Sequence, residues 1–395
     1  MDKFIKAMGQ DAEARYRDAG LQPQAFASIA TDILQANPLC DFISLDQLWQ
    51  SLGSDAAEAF GGSTKPGLIP LFTGENVRIV GHLWADAADR LHQHDWAGAF
   101  QLVEGESFNA QYEFQQHHDI AEFSIGPLRR VAFEIFKPGS VQAVLPGQSL
   151  IHSVVYSSKP GFAISLRVAS HSEDGVYEYL RPGLRCPSHR RRGQSALQLD
   201  LLAQALQVDE ALYEARFAAL LPTLAAPDIL RLIDAVAFDG LPIPHNVQAL
   251  ISDQMEYGDL ALASLDDIER SDKTRELLGE HVAPKIRAFI CALFHSETRG
   301  ELTETLASAG FQNAYVDAGR ALSALIVDDE AGEEVPDYLV QAIGNAALRG
   351  DLRRAVQAMR SANPDAPLLE AHSDFLADAF GAMEEAPIFR CLFKA

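Results

Sequence analysis

Three histidines carry most of the chemical information in this chain. His92 and His94 flank Gln93 in the stretch Leu91-His92-Gln93-His94-Asp95-Trp96, and His152 closes the stretch Pro146-Gly147-Gln148-Ser149-Leu150-Ile151-His152. Side chains of an extended segment alternate between faces, so His92 and His94 point the same way. A strand that follows the Pro-Gly turn can bring His152 to face them across a small barrel. Three neutral imidazoles converging in an apolar interior make a metal site.

Strands are needed to hold such a cluster, and the sequence supplies them. From about 68 to 180 the hydrophobic period is two, with strands expected at Asn76–Trp84, Ala99–Val103, Phe108–Phe114, Val131–Phe136, Ser140–Val144, Leu150–Tyr156 and Phe162–Val168. Gly, Pro and Asp residues separate them, which is the spacing of a small antiparallel barrel or sandwich. His117 and His118 fall in an insert between two of these strands and are read as surface residues. Residues 1–60 read as helical, over Asp11–Ala19, Gln24–Gln35 and Leu45–Leu52, before the Gly-rich break Gly61–Gly67.

Residues 181–194 read as a basic connector with the run His189-Arg190-Arg191-Arg192. Helix patterns then dominate: Ala196–Ala205, Asp209–Leu220, Ala226–Ala237, Thr274–Phe294, Leu302–Ala309, Tyr315–Ile326, Asp337–Leu348, Leu352–Ala362 and Leu368–Met383. Pro227 and Asp228 suit the first turn of one helix, and Ser271 is read as the N-cap of another. His245, His281, His295 and His372 are isolated and read as structural or solvent-facing. The expected class is therefore α+β and multidomain. An N-terminal helical segment (1–67) packs on a small antiparallel β-barrel (68–180), and the connector leads to an acidic all-α domain (195–395).

The chain has 395 residues, 55 acidic against 32 basic, for a formal charge of −23. Of the acidic residues, 33 lie beyond residue 194. Such a surface repels phosphate backbones and anionic membranes, so neither nucleic acid nor a membrane is an expected partner. The four cysteines, Cys40, Cys186, Cys291 and Cys391, are widely spaced and read as reduced thiols. The opening residues lack the apolar core of a signal peptide, and no apolar run is long enough to span a bilayer, so a cytoplasmic protein is expected.

The strands around His92, His94 and His152 resemble the cupin superfamily of jelly-roll barrels. His92-Gln93-His94 and the later Gly105 match its first motif, and Pro146-Gly147 followed by His152 approximates its second. Two departures stand out. His152 lies five residues beyond the glycine instead of three, and Gly98 or Ala99 occupies the place of the first motif's glutamate. Within the superfamily the pattern is similar to the three-histidine thiol dioxygenases, the cysteine dioxygenase-like group. The resemblance spans roughly residues 68–170.

That resemblance implies an Fe(II)-dependent dioxygenase with His92, His94 and His152 as metal ligands, acting with O2 on a small anionic substrate. Ser165-Leu166 stands where the group carries a Ser-x-His-x-Tyr run, but Arg167 and Ala169 replace its His and Tyr. This argues against cysteine itself as substrate and leaves Tyr156, on the face of His152, as a substitute hydroxyl. An anionic substrate needs a cationic clamp, for which Arg167 or Arg78 is suited, and alternation alone does not say which faces inward. His82 reads as a satisfied core histidine, and Asp95 as either a partner of a ligand imidazole or a turn residue.

Two other functions stay open. A metal-dependent isomerase or lyase would use zinc, manganese or nickel on the same barrel. A non-catalytic cupin would bind a ligand or partner protein, with the helical half serving as the surface for that partner or for a homodimer.

Overall fold

A computed structural model of the chain describes residues 2–52, 68–84, 90–158, 160–169, 176–187, 194–280 and 283–311, together with 317, 321, 322, 325, 383 and 386–393. The helices expected over 337–348 and 352–362 lie outside the described residues, as do His281, His372, the basic run 189–192 and most of 315–326 and 368–383. The chain forms two compact units, one of residues 1–132 and 136–269, the other of 133–135 and 270–395.

The first unit begins with helices α1 (Asp2–Asp18), α2 (Pro23–Ala36) and α3 (Leu45–Leu52). Helix α1 buries Ile5, Met8, Ala12 and Tyr16, an apolar stripe at helical spacing. Its Glu13 accepts from the backbone N–H groups of Asn76 and Val77, which ties α1 to the start of a strand. Burial would raise the Glu13 carboxyl, but these bonds and that from the Asn76 amide outweigh it and hold it below the usual range. At the end of α2, the buried Gln101 amide donates to Leu34 O at 2.8 Å and accepts from Leu39 N at 2.5 Å. One strand side chain thereby adds to the bond that Leu34 O already accepts from the Asn37 N–H and ties the helix end to the sheet.

Among the described residues thirteen strands follow: β1 (Leu68–Thr73), β2 (Val77–Trp84), β3 (Leu91–His94), β4 (Trp96–Glu104), β5 (Ser107–Phe114), β6 (His118–Ile120), β7 (Phe123–Ile125), β8 (Leu128–Phe136), β9 (Val141–Val144), β10 (Gly147–Tyr156), β11 (Gly161–Ala169), β12 (Tyr177–Leu180) and β13 (Leu184–Pro187). They form a five-stranded sheet, β1-β2-β11-β4-β9, and an eight-stranded sheet, β6-β7-β13-β12-β3-β10-β5-β8. Leaving aside β1, β6, β7, β12 and β13, first pairs with last throughout: β2 with β11, β3 with β10, β4 with β9 and β5 with β8. That pairing, with the chain crossing repeatedly between sheets, is a jelly roll.

The expected closed barrel is corrected by this topology. Among the described residues the two sheets stay separate, because β1 extends one and β12, β13, β7 and β6 extend the other along the hydrogen-bonding direction. Strand β1 escapes the period-two reading because it contains Pro70, which is tolerated here on a sheet edge. Residues 181–187 are not connector: Leu184 and Cys186 alternate into a core while the Arg185 guanidinium lies 3.6 Å from the centre of the Tyr177 ring. A four-residue alternation with an arginine in it carries too little period to be recognised.

Helices α4 (Gln194–Val208), α5 (Glu210–Leu220), α6 (Ala226–Phe238) and α7 (His245–Gln254) pack with Phe123, Ile125, Leu180, Leu184 and Cys186 of the larger sheet. Asp209 caps α5 by accepting from Leu212 N, and Pro227 and Asp228 occupy the first turn of α6. The expected helix Thr274–Phe294 is two helices, α8 (Gly258–Glu280) and α9 (Pro284–His295). Pro284 opens α9, where its missing N–H costs nothing, and Ser271 lies inside α8 instead of capping it. In the second unit, α9 is buried at every residue from Arg287 to His295, packing with α10 (Arg299–Ser308) and the turn Pro387–Leu392. All four cysteines are free thiols, and only Cys40 is not fully buried. Among the described residues, no helix is long and apolar enough to cross a membrane.

Arg181, in the turn between β12 and β13, donates to Asp267 of α8 at 2.8 Å while its backbone N–H donates to the other carboxylate oxygen at 3.1 Å. Both side chains are 4% exposed. Removing either partner strands a buried charge, so Asp267→Ala should lower the unfolding free energy by about 3–5 kcal/mol, and Arg181→Leu/Asp267→Leu together by less than Asp267→Ala alone. Urea unfolding monitored by circular dichroism measures both.

Candidate metal centre

Strand β3 lies between β12 and β10, with His92 directly opposite His152 and His94 opposite Gly147. Five steps along β10 therefore match two along β3, and the register irregularity between these pairs absorbs the difference. This accounts for the lengthened spacing from Gly147 to His152. Gly147 opens β10 with φ +70°, a conformation that favours glycine.

The three imidazoles form a nearly equilateral cluster, with ring centres 4.7 Å (His92–His94), 4.9 Å (His92–His152) and 5.0 Å (His94–His152) apart. One nitrogen from each lies within 4.8 Å of the others. His92 Nδ1 is 2.8 Å from Arg90 O, and His152 Nδ1 is 3.2 Å from Asn109 Oδ1. Both partner atoms are oxygens, which favours the tautomer with the proton on Nδ1 and the lone pair on Nε2.

Nε2 of His94 and Nε2 of His152 stand 2.8 Å apart. Burial, followed by the neighbouring charges of His92, His152, His82 and Arg167, holds the His94 ring well below the ordinary imidazole pKa. Burial and His92 do the same to His152. Two neutral rings at that distance share either a proton, one Nε2–H donating to the other, or a metal ion, and the three nitrogens are close enough together for bonds of about 2.0–2.1 Å to one divalent ion. Among the described residues, this is the one group of His, Cys, Asp or Glu side chains arranged to hold a metal.

The opposite wall is the five-stranded sheet. Its outer face, with Ile79, Ala97, Ala99, Ile164, Leu166 and Val168, packs against the N-terminal helices. The other face must then look inward, and it carries Arg78, His82 and Trp84 of β2, Ser165 and Arg167 of β11, and Trp96 and Phe100 of β4. The Trp96 ring lies 4.8 Å from the His94 ring and 5.8 Å from the Arg167 guanidinium, so it bridges the cluster and the arginine. Arg78 is opposite Arg167 and exposed, whereas Arg167 is half-buried. Burial lowers the Arg167 pKa, Arg78 lowers it further, and Asp95 partly offsets both.

The remaining expected residues divide. Ser165 Oγ is 2.8 Å from His82 Nε2, so His82 is satisfied on the inner wall, and burial with Arg167 nearby pushes its pKa down to about 3. Tyr156 shares the face of His152 but stands four residues on, about 13 Å away at the rise of a strand. Its ring stacks at 6.0 Å on Trp84 and packs over Gly161, where a Cβ would come within 2.2 Å of it. Asp95 sits in the exposed bend between β3 and β4, and the oxygens on the ligand imidazoles are instead those of Arg90 and Asn109. His117 and His118 are exposed. Asn109 escaped the sequence reading because it alternates with Ser107, Gln111 and Glu113 on the polar side of β5, a register that reads as solvent-facing.

Gly98 or Ala99 stands where the sequence comparison would place a glutamate, and at Gly98 no side chain fits. A Cβ there would lie 2.0 Å from Leu166 O, so the strand packing excludes any side chain at that point.

No protein-family model matches the sequence, and no curated protein matches it. Among solved structures, a chain from the crystal structures of the DMSP lyases RdDddP and RnDddQII overlaps 28% of this chain at 12% identity and a TM-score of 0.21. This chain spans 50% of the length of that one. An uncharacterized conserved protein with a double-stranded beta-helix domain from Klebsiella pneumoniae subsp. pneumoniae MGH 78578 overlaps 33% of this chain and 93% of its own, at 13% identity and a TM-score of 0.20. The jelly roll is assigned here on strand pairing.

Gly98→Ala should destabilise the protein by at least about 2 kcal/mol, the cost of forcing a backbone shift in a packed sheet, and Gly98→Glu by no less. Thermal unfolding reads this directly. Histidines held neutral in the folded protein take up protons on unfolding, so stability should be flat above about pH 7 and fall as pH drops through 6.5 toward 3. His82→Gln should make that fall shallower by about 1.4 kcal/mol per pH unit, the weight of one proton, in urea titrations across the range.

Proposed function

We propose that this chain is a metal-dependent enzyme on a jelly-roll scaffold, a mononuclear non-haem Fe(II) dioxygenase acting on a small anionic metabolite that bears a thiol or carboxylate. The observation that carries the reading is the facing of two neutral imidazole nitrogens 2.8 Å apart, one buried and one half-buried, with a third imidazole beside them. Nε2 of His92, His94 and His152 would hold the ion. When bound, ferrous iron on three neutral ligands supplies a full 2+ charge and open coordination positions for substrate and O2.

The chain's own residues select and orient. Arg167 presents a half-buried guanidinium beside Trp96, within reach of the histidine cluster, and its fork matches a carboxylate. No side chain projects from Gly98, directly opposite Arg167, which leaves that part of the inner wall clear for a substrate. Arg78 adds positive charge at the exposed end of the same wall and draws anions inward. Ser165 and the neutral His82 offer a hydrogen-bonding pair that carries no net charge. Trp84, Phe100, Phe136 and Tyr156 line an apolar interior that keeps water from the reacting groups.

Metal analysis of anaerobically purified protein should find about one iron per chain, lost in His152→Ala, with O2 uptake on a panel of small thiols and carboxylates. Arg167→Lys should raise KM by about tenfold or more while leaving metal content unchanged, because a point charge does not replace the fork. Bound zinc, manganese or nickel without O2 uptake would instead indicate a Lewis-acid isomerase or lyase. A wild-type protein that takes up no divalent metal would overturn the enzymatic reading.

A further inference from the structure

Asn109 occupies the middle of β5 between Phe108 and Ala110 and is 1% exposed. Its Oδ1 stands 3.2 Å from His152 Nδ1, while its Nδ2 is buried with no hydrogen-bond partner among the described residues. An unpaired buried amide N–H is destabilising, a penalty that an aliphatic residue at the same position would not carry. The oxygen must therefore contribute something an aliphatic residue cannot. The other amide near His152, that of Gln111 directly opposite it, donates to Gln142 Oε1 at 3.1 Å and is engaged elsewhere.

The two nitrogens of a neutral imidazole are coupled: a proton on Nδ1 leaves Nε2 as a donor of electrons, and the reverse removes it as a ligand. For His92 the choice is made by a backbone carbonyl, Arg90 O. For His152 it falls to a side chain. We propose that Asn109 is a positioning residue for the metal centre, holding His152 in the tautomer with the proton on Nδ1 and so keeping Nε2 available to the ion. This rests on the three-histidine reading above.

Two variants separate the role from simple packing. Asn109→Asp keeps the acceptor oxygen and removes the orphaned N–H2. Asn109→Leu keeps the approximate shape and removes the acceptor. Cobalt(II) titration followed by its visible absorption should give Asn109→Asp an affinity equal to or above wild type, and Asn109→Leu an affinity 10–100-fold weaker, in line with about 10–100-fold for lost partners of metal-bound histidines. Nitrogen-15 shifts of labelled histidine in the metal-free protein should show His152 protonated on Nδ1 in wild type and Asn109→Asp, but not in Asn109→Leu.

Equal cobalt affinity in wild type and Asn109→Leu, or an Asn109→Asp variant as weak as Asn109→Leu, would overturn the proposal. So would a wild-type His152 protonated on Nε2. Failure of wild type itself to bind cobalt would bring down the three-histidine reading, while the nitrogen-15 shifts would still decide what Asn109 does.

Discussion

The pairing of β3 with β10 sets the geometry on which the candidate site depends. His92 and His152 are directly opposite, and such pairs in an antiparallel ladder place their Cα atoms about 4.5–5.5 Å apart with side chains on one face. A slip of one residue would turn every side chain of β3 over, replacing the histidines with Leu91 and Gln93. The opposite face resists that slip. Leu91 and Gln93 are fully buried there, and the Tyr179 hydroxyl of β12 donates to Gln93 Oε1 at 2.5 Å. A four-residue strand is thus fixed by two neighbours and by the polar contact behind it.

That same packing sets the electrostatics. Apolar residues on both inner walls take the histidine rings out of water, and with the positive groups around them they keep His94 and His152 neutral. A neutral ring is a ligand and a protonated ring is not, so burial itself prepares the donor set. Arg167 stays charged in a half-buried position beside an aromatic face, with Asp95 the acidic group acting on it. The interior therefore combines neutral nitrogen donors on one sheet with a cation on the other. An anion entering between the sheets would meet attraction from the arginine wall, and from the histidine wall once a metal is held there.

Gly98 links the fold to the chemistry. It lies in close contact with Leu166 O between β4 and β11, and that contact leaves no room for a side chain on this part of the inner wall. The described cluster that could hold a metal is all nitrogen, made of His92, His94 and His152.

The sequence by itself determined the local pattern: period-two strands over 76–168, helices before and after them, and two histidines sharing a face because a strand permits nothing else. Seven strands were legible from alternation, and the His-x-His and Pro-Gly stretches pointed to a metal cluster. Short or irregular elements such as β1 with Pro70, or β12 and β13, were not, since their pairing energy comes from neighbours distant in the chain. Nor was the direction of Arg167. Its strand is covered on both faces, so alternation says only that Arg167 and Leu166 oppose one another. The helices packed on Ile164, Leu166 and Val168 decide which of them looks inward. Asn109 was hidden for the same reason, since a hydrogen bond 43 residues away in sequence has no local trace. Periodicity is a property of a segment, whereas burial and partnership arise only when segments meet.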